Sequence, residues 1–236
     1  MTESLPEDKQ YLLLVEGNGE KEFFIRLGKE LFGEPIPYYI IDYKGIRKFE
    51  DTLLPLPLDS NFWRIKRIGI VRDADFNTDA FASIKSVLET VNQENDVQLP
   101  LPEDKNLFEG DNLQVGIFIM PDNNREGMFE DLLLDTVRDD DVMRCVDAYF
   151  ECLEEKDVVS KKERVPKVTF DVYMAGRQQE SLRVFVQGKK VDENTSQKDW
   201  KRRYLSDMYG MKFWDWNHPA FDSIKAFLRA LVSEEA

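Results

Sequence analysis

Carboxylates stand at three places where an apolar run gives way to polar residues. Glu16 and Glu20 follow the run Leu12–Val15, Asp73 and Asp75 follow Ile68–Val71, and Asp122, Glu126, Glu130 and Asp131 follow the run ending at Met120. Two carboxylates about 4 Å apart repel by roughly 4 kcal/mol at an effective dielectric near 20, so several in one crevice call for a cation. Mg²⁺ suits such donors: it is hard, accepts few carboxylates, keeps several waters and takes phosphate oxygens for the remainder. Carboxylate-bound ions of this kind support phosphodiester chemistry by activating water and stabilising a leaving oxygen. Each acid also has a plainer reading. Glu16, Glu126, Glu130 and Asp131 suit the first turn of a helix, where the macrodipole favours an anion, Asp73 and Asp75 suit a loop, and Glu20 suits a charged helix face.

Other motifs fail on their own residues. Gly17-Asn18-Gly19 opens like a dinucleotide-binding turn, but Glu22 stands where the third glycine is needed. Asp73-x-Asp75-x-Asn77-x-Asp79 opens like a calcium loop, but Thr78 occupies the sharp-turn position and Ile84 the bidentate one. No phosphate-cradling G-x-x-x-x-G-K is present. The single histidine, His218, has no nucleophile pattern beside it and reads as a turn or packing residue.

The elements that must position the acids follow from hydrophobic patterning. An unalternating run such as Leu12–Val15 fits a strand covered on both faces, as in a parallel sheet flanked by helices. Phe23, Phe24, Leu27 and Leu31 then mark a helix ending near Gly33 and Pro35. Residues 37–43 read as a second strand, 46–54 as a short basic helix, and 54–58 as a proline-bearing loop before the third strand at 68–71. Phe81, Ile84, Leu88 and Val91 mark the next helix, the polar stretch 92–111 a connection, and QVGIFIM a fourth strand. Helices follow through Phe129, Leu132, Leu133 and Val137, and through Val142, Cys145, Val146, Tyr149 and Leu153. The two cysteines, seven apart, are expected on one buried face and reduced. Residues 168–174 alternate in a way that suggests a strand but also allows a short helix, and Phe221–Leu231 closes the chain as a helix. Strand–helix alternation predicts right-handed crossovers and an α/β fold with a mostly parallel four-stranded sheet flanked by helices. In such sheets ligands bind at the carboxyl ends of the strands, which makes Glu16 the first candidate.

Composition narrows the partners. The 236 residues are 42% hydrophobic and 12% aromatic, enough for a packed core. No stretch approaches a membrane span and the opening is acidic and polar, so a cytoplasmic protein is expected, with no membrane partner. A net charge of −14 argues against coating nucleic acid through bulk electrostatics. The charge is uneven, with residues 1–157 strongly acidic and 158–236 net basic. Within the basic part, Lys198, Lys201, Arg202 and Arg203 interleave with Trp200 and Tyr204, a mixture that suits phosphates and bases of a nucleic acid strand, or simply a solvated helix face.

LLLVEGNGEKEF and GIVRDADF together resemble the two signatures of the TOPRIM domain, a strand-end Glu-Gly and a later strand-end D-x-D. TOPRIM domains occur in topoisomerases, primases, OLD-type nucleases and small maturation ribonucleases, and the second acid at Glu20 is similar to the OLD-type nucleases. MPDNNREGMFEDLLL and DWNHPAFDSIKAFLRAL further resemble a small, mostly bacterial TOPRIM-related family of unknown function. The resemblance implies a Rossmann-like TOPRIM catalytic core over residues 10–137, with an α-rich, partly basic extension over 138–236 packed on it. It implies Mg²⁺, or Mn²⁺ in its place, on Asp73 and Asp75 with Glu16 as ligand or general acid/base. Glu20 matches the nuclease branch alone, and Glu130 the narrower family. The chain lacks room for a topoisomerase's tyrosine domain and the cysteines for a primase's zinc module. Two readings stand: a Mg²⁺-dependent nuclease acting on RNA or DNA under the control of a partner such as an ATPase, or a catalytically weak metal- or nucleotide-binding interaction subunit.

Overall fold

A computed structural model describes residues 4–75, 79–105, 107–158, 165–186 and 214–233, with residues 178–186 described for their backbone alone. The fold is mixed α/β. Its five-stranded sheet comprises β1 (Tyr11–Val15), β2 (Tyr38–Asp42), β3 (Arg67–Asp73), β4 (Phe108–Glu109) and β5 (Gln114–Met120) in the order β2-β1-β3-β5-β4. Seven α-helices occur among the described residues: α1 (Asn18–Phe32), α2 (Phe49–Leu53), α3 (Ala80–Glu94), α4 (Phe129–Asp135), α5 (Asp141–Glu155), α6 (Pro166–Val186) and α7 (Asp222–Leu231). None of them is long and apolar enough to cross a membrane. Two compact units result, Met1–Phe129 with Trp216–Ala236, and Glu130–Asp215.

The four long strands predicted from the apolar runs are present and mutually parallel, but the sheet has a fifth. β4 pairs antiparallel with β5 inside the stretch expected to be a polar connection. Two residues are too few to show any periodicity, so this edge strand leaves no pattern in the sequence.

In the first unit the buried strands divide their side chains by face. Leu12, Leu14, Ile68, Ile70, Val115 and Ile117 meet α2 and α3, whose Phe49, Leu53, Ile84, Leu88 and Val91 are buried in the same cluster. On the other face α1 and α7 cover the sheet. Phe23 of α1 packs edge-on to Phe24 and Phe129, and Phe227 of α7 lies over Phe118 and stacks on Phe108. The closing helix seats this closely because β3 and β5 pair Gly69 with Gly116. A Cβ on Gly69 would come within 3.2 Å of the Phe227 ring, and one on Gly116 within 2.9 Å of Phe108. α1 ends at Gly33, whose φ of 81° and bond to the Lys29 carbonyl stop the helix where the sequence predicted.

In the second unit α5 is capped by Asp140, whose Oδ1 accepts from the Val142 amide at 2.8 Å. Arg177 of α6 pairs with Asp140 and donates to the Tyr173 hydroxyl at 3.1 Å, tying the two helices together. The alternation at 168–174 belongs to helix rather than strand. Thr169, Phe170, Tyr173 and Met174 are buried at helical spacing, whereas Val168 is exposed. Both cysteines are also exposed, against expectation. The buried face of α5 runs through Met143, Val146 and Phe150, so the seven-residue spacing does place Cys145 and Cys152 on one side of the helix, away from that face.

Candidate metal and phosphoryl site at the strand ends

The chain leaves β1 for β2 on one side of it and reaches β3 on the other, so β1 and β3 are neighbours across which the direction of winding reverses. That switch point is where an open α/β sheet has a crevice beyond its strands. Glu16 follows β1 and Asp73 ends β3, on the two sides of this crevice.

The local backbone explains why the acids stay there. Past β2 the Tyr43 amide donates to the Val15 carbonyl at 3.0 Å and the Gly45 amide to the Glu16 carbonyl at 2.8 Å, so the β2–α2 loop continues alongside Glu16. Asp73 Oδ1 accepts from the Phe129 amide at 2.8 Å, which fixes that side chain at the start of α4. Asp75 adopts a left-handed φ of 52°, and its backbone exchanges two hydrogen bonds with Gly127 at 2.7 and 3.1 Å. Its side chain is left exposed.

Electrostatically the site centres on Glu16. Burial pushes its carboxyl above the ordinary range, the Asp73 amide opposes that by favouring the anion, the Asp75 charge adds to the rise, and the Arg72 charge and the Ile46 amide lower it. Glu16 Oε2 is buried without a hydrogen-bond partner. Buried polar atoms are rarely left so, which makes this oxygen, under the charge of Asp75, the candidate position for a cation. Two further groups belong to this neighbourhood although nothing in their spacing singled them out. Arg72 is buried, with Nη1 donating to the Ala80 carbonyl at 3.0 Å. Tyr43 donates its hydroxyl to the Val71 carbonyl at 2.9 Å, and its phenol is pushed well up by burial first, then by the charges of Glu16 and Asp73.

The remaining predicted residues divide. Glu20, in the first turn of α1, folds back on the chain so that a Cβ on Gly17 would lie 2.9 Å from its Oε2, the posture of a helix-start acid. Its charge still reaches Tyr43. Asp122 is a turn residue, Oδ1 accepting from the Asn124 and Arg125 amides. Glu126 is exposed. Glu130 belongs to the second unit, where burial pushes its carboxyl up, its own amide opposes the rise, and Lys167 lowers it. Lys198, Lys201, Arg202 and Arg203 lie outside the described residues. His218 is a turn residue as expected, Nδ1 accepting from the Ala220 amide at 3.1 Å.

Among the described residues no group of three or more His, Cys, Asp or Glu is arranged to hold a metal ion by itself. The Glu16 orphan oxygen and the exposed Asp75 carboxylate are donors of the kind that a hard ion such as Mg²⁺ accepts, with water and phosphate completing its shell. A cleft of about 190 Å³ opens past the ends of β3 and β5, with Ala74, Ile119, Lys105 and Arg125 in its walls but none of Glu16, Asp73 and Asp75. The second unit has a larger cleft, about 410 Å³, lined by Asp131, Asp135, Arg138 and Asp147. Volume favours the larger one. The chemistry favours the strand ends, because there a buried carboxylate oxygen lacks a partner.

A family model described as protein of unknown function (DUF3226) matches residues 10–233. The chain belongs to that family. The match spans both units, so the DUF3226 chain carries the switch-point acids of the first and Glu130 of the second within one family unit. No curated protein and no solved structure matches the chain.

Proposed function

We propose that this DUF3226 protein is a TOPRIM-type, Mg²⁺-dependent phosphodiesterase that hydrolyses RNA or DNA at the β1/β3 switch point. The observation that carries the reading is Glu16 Oε2, buried and without a partner beside the D-x-D of β3. The Glu-Gly and D-x-D resemblance supports it, because the two signatures fall on adjacent parallel strands.

The chain's own groups divide the work. Glu16, its carboxyl raised by burial in the metal-free protein, can take a proton from an attacking water or return one to the leaving oxygen. Asp73, fixed through Oδ1 by the Phe129 amide, keeps its backbone amide directed at Glu16 and so sets that carboxylate's orientation. Asp75, exposed and pinned through its backbone, would hold Mg²⁺ together with Glu16. When bound, the ion would supply charge stabilisation to the phosphoryl group and acidify water. Arg72 offsets part of the crevice's negative charge when no cation is present. A partner such as an ATPase would add control and is part of the same proposal.

A second reading, a catalytically weak interaction subunit, draws on the absence of a three-acid group among the described residues. Incubating the purified protein with a mixed RNA and DNA pool, in Mg²⁺, in Mn²⁺ and in EDTA, separates the two. The nuclease reading expects cleavage in either metal and none in EDTA or with Glu16→Gln. Metal binding without cleavage would favour the interaction subunit.

A further inference from the structure

The loop that passes alongside Glu16 is also cationic. Lys44, Arg47 and Lys48 lie between the end of β2 and the start of α2, and all three are exposed. None forms an ion pair among the described residues, although the chain as a whole is acidic and Glu50 and Asp51 follow within α2. Their placement is built into the backbone. Asp42 Oδ1 accepts from the Lys44 amide at 2.7 Å and holds Lys44 at a left-handed φ of 59°, and Gly45 follows at φ 92°. Two successive residues of this kind turn the chain so that the Gly45 amide bonds the Glu16 carbonyl and the Ile46 amide faces the Glu16 carboxylate. A non-glycine residue in that region costs free energy, and such strain is retained where it serves a site. Here it sets a 3₁₀ turn, Ile46–Lys48, next to the acids with its basic side chains in water.

Exposed cations held beside a carboxylate crevice, in no ion pair among the described residues, suit a ligand that brings several negative charges at fixed spacing. We infer that Lys44, Arg47 and Lys48 form the phosphate-backbone contact of the site and hold a nucleic acid strand across the switch point. The inference rests on the nuclease reading for the identity of the ligand. It goes beyond that reading in assigning substrate binding to the β2–α2 loop.

The test is salt-titrated binding of fluorescent single-stranded and duplex oligonucleotides, RNA and DNA, in EDTA, with cleavage in Mg²⁺ measured separately. Each lost phosphate contact lowers the slope of log affinity against log salt by about 0.7 for a single strand and 0.9 for a duplex. Arg47→Ala with Lys48→Ala should therefore lower the slope by about 1.4 or 1.8, and Lys44→Gly, which suits the positive φ, by one contact more. The exchange Arg47→Lys with Lys48→Arg should leave the slope near wild type. Unchanged slopes in a folded alanine variant, or equal loss in the exchange variant, would overturn the loop assignment while leaving wild-type cleavage untouched. A loop-dependent slope without any cleavage would uphold the loop and overturn the nuclease reading. Wild-type protein that binds none of the oligonucleotides overturns the loop assignment, and if it also cleaves none, the nuclease reading falls with it.

Discussion

The backbone amide of Asp73 faces the carboxylate of Glu16 across two adjacent parallel strands, and it is the strongest influence holding that carboxylate ionised against burial. The two acids are thus coupled through the main chain. Strand register fixes their relation before any ligand arrives, so the crevice is preorganised as far as the first unit's sheet is formed.

Stability should depend on pH through Glu16 in a defined sense. Its folded carboxyl is raised above the unfolded value, so the native state binds more protons between the two values and stability falls as pH rises through that window. Above the window the cost of the buried charge stays in full. Glu16→Gln should therefore raise the melting temperature of the metal-free protein at neutral pH, with the gain vanishing as pH falls below the ordinary carboxylate range. Wild type, but not the variant, should gain stability from Mg²⁺. Thermal melts across pH, with and without Mg²⁺, check both; a variant less stable than wild type at neutral pH would mean the carboxylate is structural.

Glu130 offers a contrast. Burial raises its carboxyl too, so Glu130→Gln should also stabilise the protein at neutral pH and lose that advantage in acid. If Glu130 does not hold the ion, the melting gain from Mg²⁺ will be the same in Glu130→Gln and wild type. Loss of that gain would instead make Glu130 a metal ligand.

Much of this arrangement was legible in the sequence, and the parts that were not have physical reasons. The runs Leu12–Val15 and Ile68–Val71 are buried on both faces, so their lack of alternation reported parallel strands directly, and the acids after them followed. β4 was hidden by its length. α6 was ambiguous because its buried residues include Thr169, whose polarity broke the helical pattern, while exposed Val168 supplied a false alternation. The spacing of Cys145 and Cys152 shows that they share one side of α5 but not which side, and the apolar face of that helix lies elsewhere. Arg72 and Tyr43 carry no spacing signal. Their role comes from burial beside charges, which only the folded chain reveals.

Exposure of the thiols makes its own prediction. Both Cys145 and Cys152 should react with a thiol reagent in the native protein at rates near those in denaturant. Protection of either would contradict the orientation of α5.

The α1–β2 contact sets a stability prediction with a magnitude. The Tyr38 hydroxyl donates to the Phe24 carbonyl at 2.8 Å, and a Cβ at Gly28 would overlap that hydroxyl and lie 2.9 Å from Cζ. Gly28→Ala should cost about 1–3 kcal/mol by overpacking. Combining it with Tyr38→Phe should relieve part of that cost, giving a favourable coupling in a denaturant double-mutant cycle. Strict additivity would show that the helix shifts away without touching Tyr38.

On the same face of the sheet, Phe227 packs over Gly69 and against Phe108 and Phe118. Phe227→Ala should destabilise the protein by about 3–5 kcal/mol, as for other buried aromatic truncations. Urea unfolding measures it, and a loss well under 1 kcal/mol would mean that α7 does not cover the sheet as described.

The central claim is that the Glu16 crevice binds a divalent cation, and calorimetric titration of Mg²⁺ into wild type, Glu16→Gln and Asp75→Asn tests it most directly. Binding by wild type that is abolished in Glu16→Gln and weakened in Asp75→Asn is the predicted result. Equal Mg²⁺ binding by all three proteins, or none by the wild type in the presence of a nucleic acid strand, would contradict it.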